Sequence, residues 1–423
     1  MRKEQDAHKV ESNDGSAREE VPEPPPRRWL THTLLVAAGT AAVAALAFGR
    51  SPVKAGSRSQ AADRPTVIQP ASPPPAAPAP RPRVEMVFAL DTTGSMSGLI
   101  EGAKRKIWSL ASFVARGQPT PDLRVGLVAY RDKGDAYVTQ RFALDDDLDR
   151  VYERLQTFSA DGGGDTPEHV ARALHESVFD MGWSQDSDVV KVIYLVGDAP
   201  PHEDYRDGFD LNKAARGAAT KGIAVHTIRC GMDPTTEVAF RRVARLAQGE
   251  FLTIQGDGGM RDRRTPYDAE MERLHDELSS TGMGYGVEGV RRVVRTRELA
   301  EAAPAESKAE RASFMAVKKK AMAGGGDLVD AWAAGTVKLD ALKREELPEP
   351  LRDLDAPAQA AALAKTQVLR KDLLARIATL DKQRQAFIEE ADSKDDDASG
   401  FDKVAKESLR KTASAKPGAK LKL

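Results

Sequence analysis

Five residues in three separated segments hold the chemistry this sequence offers. Asp91, Thr93 and Ser95 lie in VFALDTTGSMSG, where an apolar run ends in a tight glycine-containing turn and presents a carboxylate and two hydroxyls to one small volume. Thr166 follows three glycines in DGGGDTPEH. Glycine lets the backbone approach closely and take φ > 0, and Pro167 is compatible with a helix start. Asp198 ends the apolar run of VIYLVGDAPPHEDY. Two carboxylates and three hydroxyls form a hard, all-oxygen set suited to Mg²⁺, with Mn²⁺ or Ca²⁺ as alternatives. Zinc would require Cys or His instead. The set is incomplete as a six-ligand cage, so one position stays open to water or to an acidic group from a partner.

Such residues need strand ends to hold them. From Val84 onward apolar runs alternate with helical periodicity, the pattern of a βαβ sheet protein. Strands are predicted at Val84 to Leu90, Arg124 to Tyr130, Val189 to Val196, Ile223 to Arg229 and, more weakly, Gly249 to Ile254, with Ala136 to Phe142 as an antiparallel edge. Helices are predicted at Ser97 to Ala115, Leu148 to Phe158, Thr166 to Met181, Leu211 to Lys221 and Thr235 to Ala247. The fold class is therefore α/β, a doubly wound and mostly parallel sheet flanked by helices. In such sheets ligands bind outside the carboxyl ends of the strands, where strand order reverses. All three loops belong on that edge.

The segments DTTGS, the loop threonine and the strand-end aspartate together resemble the metal-ion-dependent adhesion site of von Willebrand factor type A (VWA) domains. The resemblance covers about Val84 to Ile254. It implies a metal held by Asp91, Thr93, Ser95, Thr166 and Asp198, with Thr93 departing from the serine usual at that position while keeping a hydroxyl. The stretches VGLVAYRD, GGGDTPE and VGDAPPH resemble the subgroup found in bacterial envelope proteins and beside alpha-kinase domains, although no kinase motif is visible here. Around the site, His169, His202, Glu203 and Asp204 are expected to form a polar rim, and Arg131 and Asp132 to pair with each other. Cys230 is expected to be a small core residue rather than a reactive thiol.

The rest of the chain divides by composition. Residues 1–28 are polar and acid-rich. Trp29 to Phe48 is twenty residues without a charge, long enough to cross a hydrocarbon core of ~30 Å as a helix. It reads as an uncleaved membrane anchor, with a cleaved signal peptide or a buried apolar helix as alternatives. Arg27 and Arg28 abut one end while Arg50, Lys54 and Arg58 follow the other, so charge gives only a weak orientation, and the periplasmic or extracytoplasmic side is inferred for the domain. Residues 49–82 form a linker with eight prolines between Pro65 and Pro82, a semi-rigid polyproline stalk. The VWA-like domain is placed at 83–256, a helical region at 257–391 and a charged tail at 392–423. Within Ala358 to Ala391, the stripe Leu369, Leu373, Ile377, Leu380 and Phe387 is expected to pack. Asp402 to Leu423, with seven Lys/Arg against two acids, is expected to be solvated. ELPEPLRDLD and GFDKVAKESLRK resemble segments attached to such domains in other bacterial proteins.

The totals set outer bounds. Across 423 residues, 63 Lys+Arg against 64 Asp+Glu argues against a chain that coats nucleic acid, and the single cysteine excludes a disulfide scaffold. The leading expectation is a membrane-tethered, non-enzymatic binding module whose ion is completed by an Asp or Glu from a protein partner. An envelope scaffold with a structural or degenerate metal site is the alternative. A Mg²⁺-dependent phosphohydrolase is disfavoured, because Thr93 stands where haloacid-dehalogenase-type chemistry needs a second aspartate to protonate the leaving group. The GSMSGLIEGAK stretch also lacks the spacing of a phosphate-binding loop.

Overall fold

Val, Ile and Leu dominate the strand segments without alternation, as expected for strands covered on both faces. A computed structural model of the protein describes residues 81–164, 166–255, 264–393 and 400–423. The polar N-terminal segment, the 29–48 span and the proline-rich linker up to residue 80 lie outside them. Among the described residues no helix is long and apolar enough to cross a membrane.

The elements run β1 (Arg83–Asp91), α1 (Ser97–Ala115), β2 (Asp122–Tyr130), β3 (Thr139–Asp145), α2 (Leu148–Gln156), α3 (Val170–Phe179), β4 (Val190–Gly197), α4 (Leu211–Thr220), β5 (Ile223–Cys230), α5 (Pro234–Leu246) and β6 (Phe251–Ile254). The helical part adds α6 (Asp268–Ser280), α7 (Gly286–Ala302), α8 (Ala305–Lys318), α9 (Leu328–Ala333), α10 (Ala356–Ser393) and α11 (Phe401–Ser414). The six strands lie in the order β3-β2-β1-β4-β5-β6, with only β3 antiparallel. The mostly parallel sheet flanked by helices and the helical C-terminal region agree with the sequence reading. Helices α3, α4 and α5 cover one face through Val170, Leu174, Ala214 and Phe240. On the other face α1 and α2 are joined by α6, α8, α10 and α11 from the C-terminal region.

Three expectations change. The helix predicted from Thr166 begins at Val170, because the Glu168 N–H donates to the Pro200 carbonyl (2.9 Å) and Glu168 bridges Pro201 instead of entering a helical turn. The residue before a proline also disfavours the α region, which keeps Thr166 out of the helix. In α10, Leu373 and Ile377 are buried as expected, but Leu369 and Phe387 are 48% and 41% exposed. The buried face instead includes Arg370, Asp381 and Arg384, each satisfied by ion pairs to other elements. Finally, residues 401–423 are not a solvated tail. Phe401 packs on Phe88 and Tyr194, the Tyr194 hydroxyl donates to the Ala405 carbonyl (2.7 Å), and Lys422 bridges Gln118. Its cations lie on the outer side while Phe401, Ala405, Leu409 and Ala413 face inward.

Candidate metal centre

The sheet order places the reversal of winding between the parallel strands β1 and β4, since the chain winds from β1 toward β2 on one side and from β4 toward β5 on the other. Register brings the strand ends level there: Asp91 lies opposite Tyr130, and Leu90 opposite Val196. Asp91 is the last residue of β1 and Asp198 follows the last residue of β4, so both carboxylates flank the crevice.

Asp91 is fully buried. Its Oδ1 accepts bonds from the Thr93 N–H (2.9 Å) and the Thr93 hydroxyl (2.6 Å), and that hydroxyl lies 3.4 Å from Ser95 Oγ. The other carboxyl oxygen, Oδ2, is buried and has no hydrogen-bond partner. Burial pushes the Asp91 carboxyl up to about 7, against the Thr93 hydrogen bonds, with the Asp198 charge adding to the rise. Asp198 is partly buried and its carbonyl accepts from the Thr236 hydroxyl (3.2 Å). Close approach at β4 requires glycine: a Cβ on Gly197 would stand 2.3 Å from the Tyr130 hydroxyl oxygen and 3.2 Å from Asp91 Oδ2.

The glycine loop lies over the Asp91 turn. Gly94 N–H donates to the Gly162 carbonyl (3.4 Å) and Asp161 N–H to the Thr92 carbonyl (3.1 Å), with Gly162 at φ 78°. Thr166 is exposed on this loop. Two residues on, Glu168 is buried, and its backbone ties the loop to the β4 exit by donating to the Pro200 carbonyl and accepting from His202 N–H. Thus Asp91, Thr93 and Ser95 are directly joined, Asp198 lies within electrostatic reach of Asp91, and Thr166 shares their edge through its loop.

The surroundings depart from expectation at one pair. Arg131 does not pair with Asp132. Its guanidinium donates to the Thr92 carbonyl (3.0 Å) and the Ser159 carbonyl (2.9 Å) and covers the Tyr137 ring, which pins both loops. Asp132 accepts instead from the Tyr205 hydroxyl (2.6 Å). Of the two histidines, His169 is buried and paired with Asp207 (2.8 Å), while the partly buried His202 stacks on Tyr205 and bonds Asp204 (2.8 Å). Lys133 and His169 hold Asp207 well below the usual carboxylate range. Cys230 is buried in the core, and burial raises its thiol.

Sequence reasoning missed Glu168. It is 2% exposed, its Oε2 has no hydrogen-bond partner, and burial together with Asp91, Asp132, Asp135 and Asp198 pushes its carboxyl up to about 9. The available signal was its position two residues after Thr166 in the quoted GGGDTPE, but local pattern does not show that it turns inward. Among the described residues no three His, Cys, Asp or Glu side chains converge on one ion position. An ion here must rest on hydroxyls as much as on carboxylates, and the partnerless Asp91 Oδ2 beside the Thr93 and Ser95 hydroxyls fits that demand.

Comparison with known proteins adds a family. Residues 85–251 match the family described as von Willebrand factor A domain. No curated protein matches the chain. Among solved structures, proximal thread matrix protein 1 from the mussel byssus aligns at 14% identity and a TM-score of 0.33, covering 42% of this chain and 43% of its own. The same mussel protein with a zinc-occupied MIDAS motif aligns at 14% identity and a TM-score of 0.34, with the same coverage. The SpRpn10 VWA domain aligns at 13% identity and a TM-score of 0.32, covering 41% of this chain and 89% of its own. The aligned part thus spans less than half of the mussel protein. The match to the von Willebrand factor A domain family thus falls on residues 85–251, the part of the chain that carries the sheet and the crevice.

Proposed function

We propose that this protein is a divalent-metal-dependent protein-binding module, not an enzyme, tethered to a membrane by residues 29–48 with its VWA domain on the extracytoplasmic side. Asp91, Thr93, Ser95, Thr166 and Asp198 would hold Mg²⁺, Mn²⁺ or Ca²⁺, and an Asp or Glu of a partner would complete the shell. The observation that carries this reading is the fully buried Asp91 carboxylate, with one oxygen lacking any partner and two hydroxyls at hand. Burial of such an oxygen is costly unless a donor or cation meets it.

The bound ion supplies a positive charge and an open coordination position. The chain's own residues do the rest. Thr93 orients the Asp91 carboxyl through its N–H and hydroxyl, and Arg131 holds the Thr92 and Ser159 carbonyls of the two loops. The test is calorimetric titration of the full chain with Mg²⁺ and Mn²⁺, Asp91→Ala serving as control, followed by capture from a membrane extract with and without chelator. Saturable binding by the wild type alone and chelator-sensitive capture are expected. Equal heats from both proteins would refute the ion site. Recovery of the chain in the soluble rather than the membrane fraction of its source cells would refute the tether.

A further inference from the structure

Three carboxylate oxygens around the crevice meet no donor. Asp91 Oδ2, Asp132 Oδ1 and Glu168 Oε2 are all buried without a hydrogen-bond partner, on residues that are 0%, 4% and 2% exposed. Arg131, whose charge acts on Asp91, donates to two carbonyls. Glu168 Oε2 is buried on the segment that joins the glycine loop to the β4 exit, and the charges of Asp91, Asp132, Asp135 and Asp198 act on its carboxyl. Its placement is imposed by backbone geometry. The bonds to Pro200 and His202 fix its backbone between the glycine loop and the β4 exit.

Glu168 does not join a carboxylate cage, since no three acidic or imidazole side chains converge on one point among the described residues. A hydrated ion resolves this. Mg²⁺ dehydrates reluctantly and keeps several waters, and those waters are donors that need acceptors. Groups that hold a metal's ligands in place matter for affinity nearly as much as the ligands themselves.

We infer that Glu168 is a positioning residue for the ion: its buried Oε2 accepts a hydrogen bond from a metal-bound water and so favours ions that keep their water, Mg²⁺ and Mn²⁺, over Ca²⁺. The inference rests on the proposed ion site. Ca²⁺ takes more protein oxygens in a flexible shell and depends less on an acceptor for retained water. The carboxylate that stabilises the loaded site is, in the metal-free protein, an unpartnered buried acid among other acids.

Glu168→Gln separates this role from a structural one because the two readouts move in opposite directions. In the full chain, Mn²⁺ and Mg²⁺ affinity should fall about 10- to 100-fold, the range for lost outer-shell partners. Ca²⁺ affinity should fall less, and the melting temperature of the chelated protein should hold or rise. Glu168→Asp, which keeps the charge on a shorter arm, should give a smaller loss of Mn²⁺ affinity than Glu168→Gln. Wild-type Mn²⁺ affinity in Glu168→Gln, equal losses for Ca²⁺ and Mg²⁺, or a lower melting temperature with affinity unchanged would each overturn the role of Glu168. Failure of the wild type itself to bind Mn²⁺ better than Asp91→Ala would instead overturn the ion site and this inference with it.

Discussion

At the scale of single residues, the crevice is shaped by what Gly197 lacks. A methyl group there would run into the Tyr130 hydroxyl and press on Asp91. Gly197→Ala should therefore lower stability by about 1–3 kcal/mol, as overpacking of a tight interior does, and weaken Mn²⁺ binding by displacing the Asp91 carboxyl. Adding Tyr130→Phe removes the closest clashing atom. Denaturant midpoints of the two single variants and the double variant should show the double recovering part of the Gly197→Ala loss. Simple additivity would mean that the clash is relieved elsewhere.

At the scale of elements, α11 is bound to the sheet by a contact that senses pH. His226 on β5 bonds the Thr412 hydroxyl (2.9 Å) of α11, accepts from the Glu250 N–H (3.1 Å) and stacks on Tyr194. Burial dominates and lowers its pKa from 6.5 to about 4, with the Glu250 carboxylate opposing the shift and Lys411, paired with Glu250 (2.8 Å), adding to it. A neutral histidine in the folded state and a protonated one in the unfolded state means stability is complete above pH ~6.5 and is lost as pH falls toward 4. By pH 5 the loss should reach about 2 kcal/mol, and it should approach 3 kcal/mol at lower pH. Urea midpoints from pH 7.5 to 5 should show it, and His226→Gln should flatten this part of the profile. Helix α10 is fixed by a different kind of contact. Arg370 is buried and paired with Asp327 (2.7 Å) and Asp330 (2.8 Å) while donating to Thr281. Arg370→Ala would strand Asp327 in the interior, so a loss of about 3–5 kcal/mol is expected in thermal or urea unfolding.

At the scale of the whole molecule, the helical region is part of the body that carries the crevice. Arg311 pairs with Asp149 (2.9 Å), Arg116 with Asp381 (2.7 Å), and Lys406 reaches Ser109 (2.7 Å), so α8, α10 and α11 are each tied to the helices beside the sheet. The aromatic face formed by Phe88 and Tyr194 is covered by Phe401, and uncovering it costs about 2–3 kcal/mol per ring. A fragment of residues 83–256 should therefore be aggregation-prone and melt well below one of residues 81–423. Matched melting temperatures would show that the sheet and its own helices suffice, and the covering helices would then be accessory.

Much of this architecture was legible in one dimension because its causes are local. Strands covered on both faces must be continuously apolar, and Val84 to Leu90 or Val189 to Val196 say so by themselves; Gly-rich loops and strand-end acids mark the edge where a parallel sheet opens. The sequence determined the sheet, its winding, and which loops share one edge. Only tertiary structure decided the rest. Whether Glu168 turns inward depends on two backbone bonds to Pro200 and His202, residues far along the chain. Arg131 was free to choose Asp132 until the carbonyls of Thr92 and Ser159 came within reach. The buried face of α10 was misread because periodicity weighs apolar residues only, whereas Arg370 and Arg384 enter the interior once acids from other helices stand ready to meet them. The cationic segment after residue 400 likewise reads as solvent-loving, yet four small or apolar residues on one side of α11 are enough to close the sheet once Phe88 and Tyr194 offer a surface. Partners distant in sequence leave no local trace, and those partners made each of these choices.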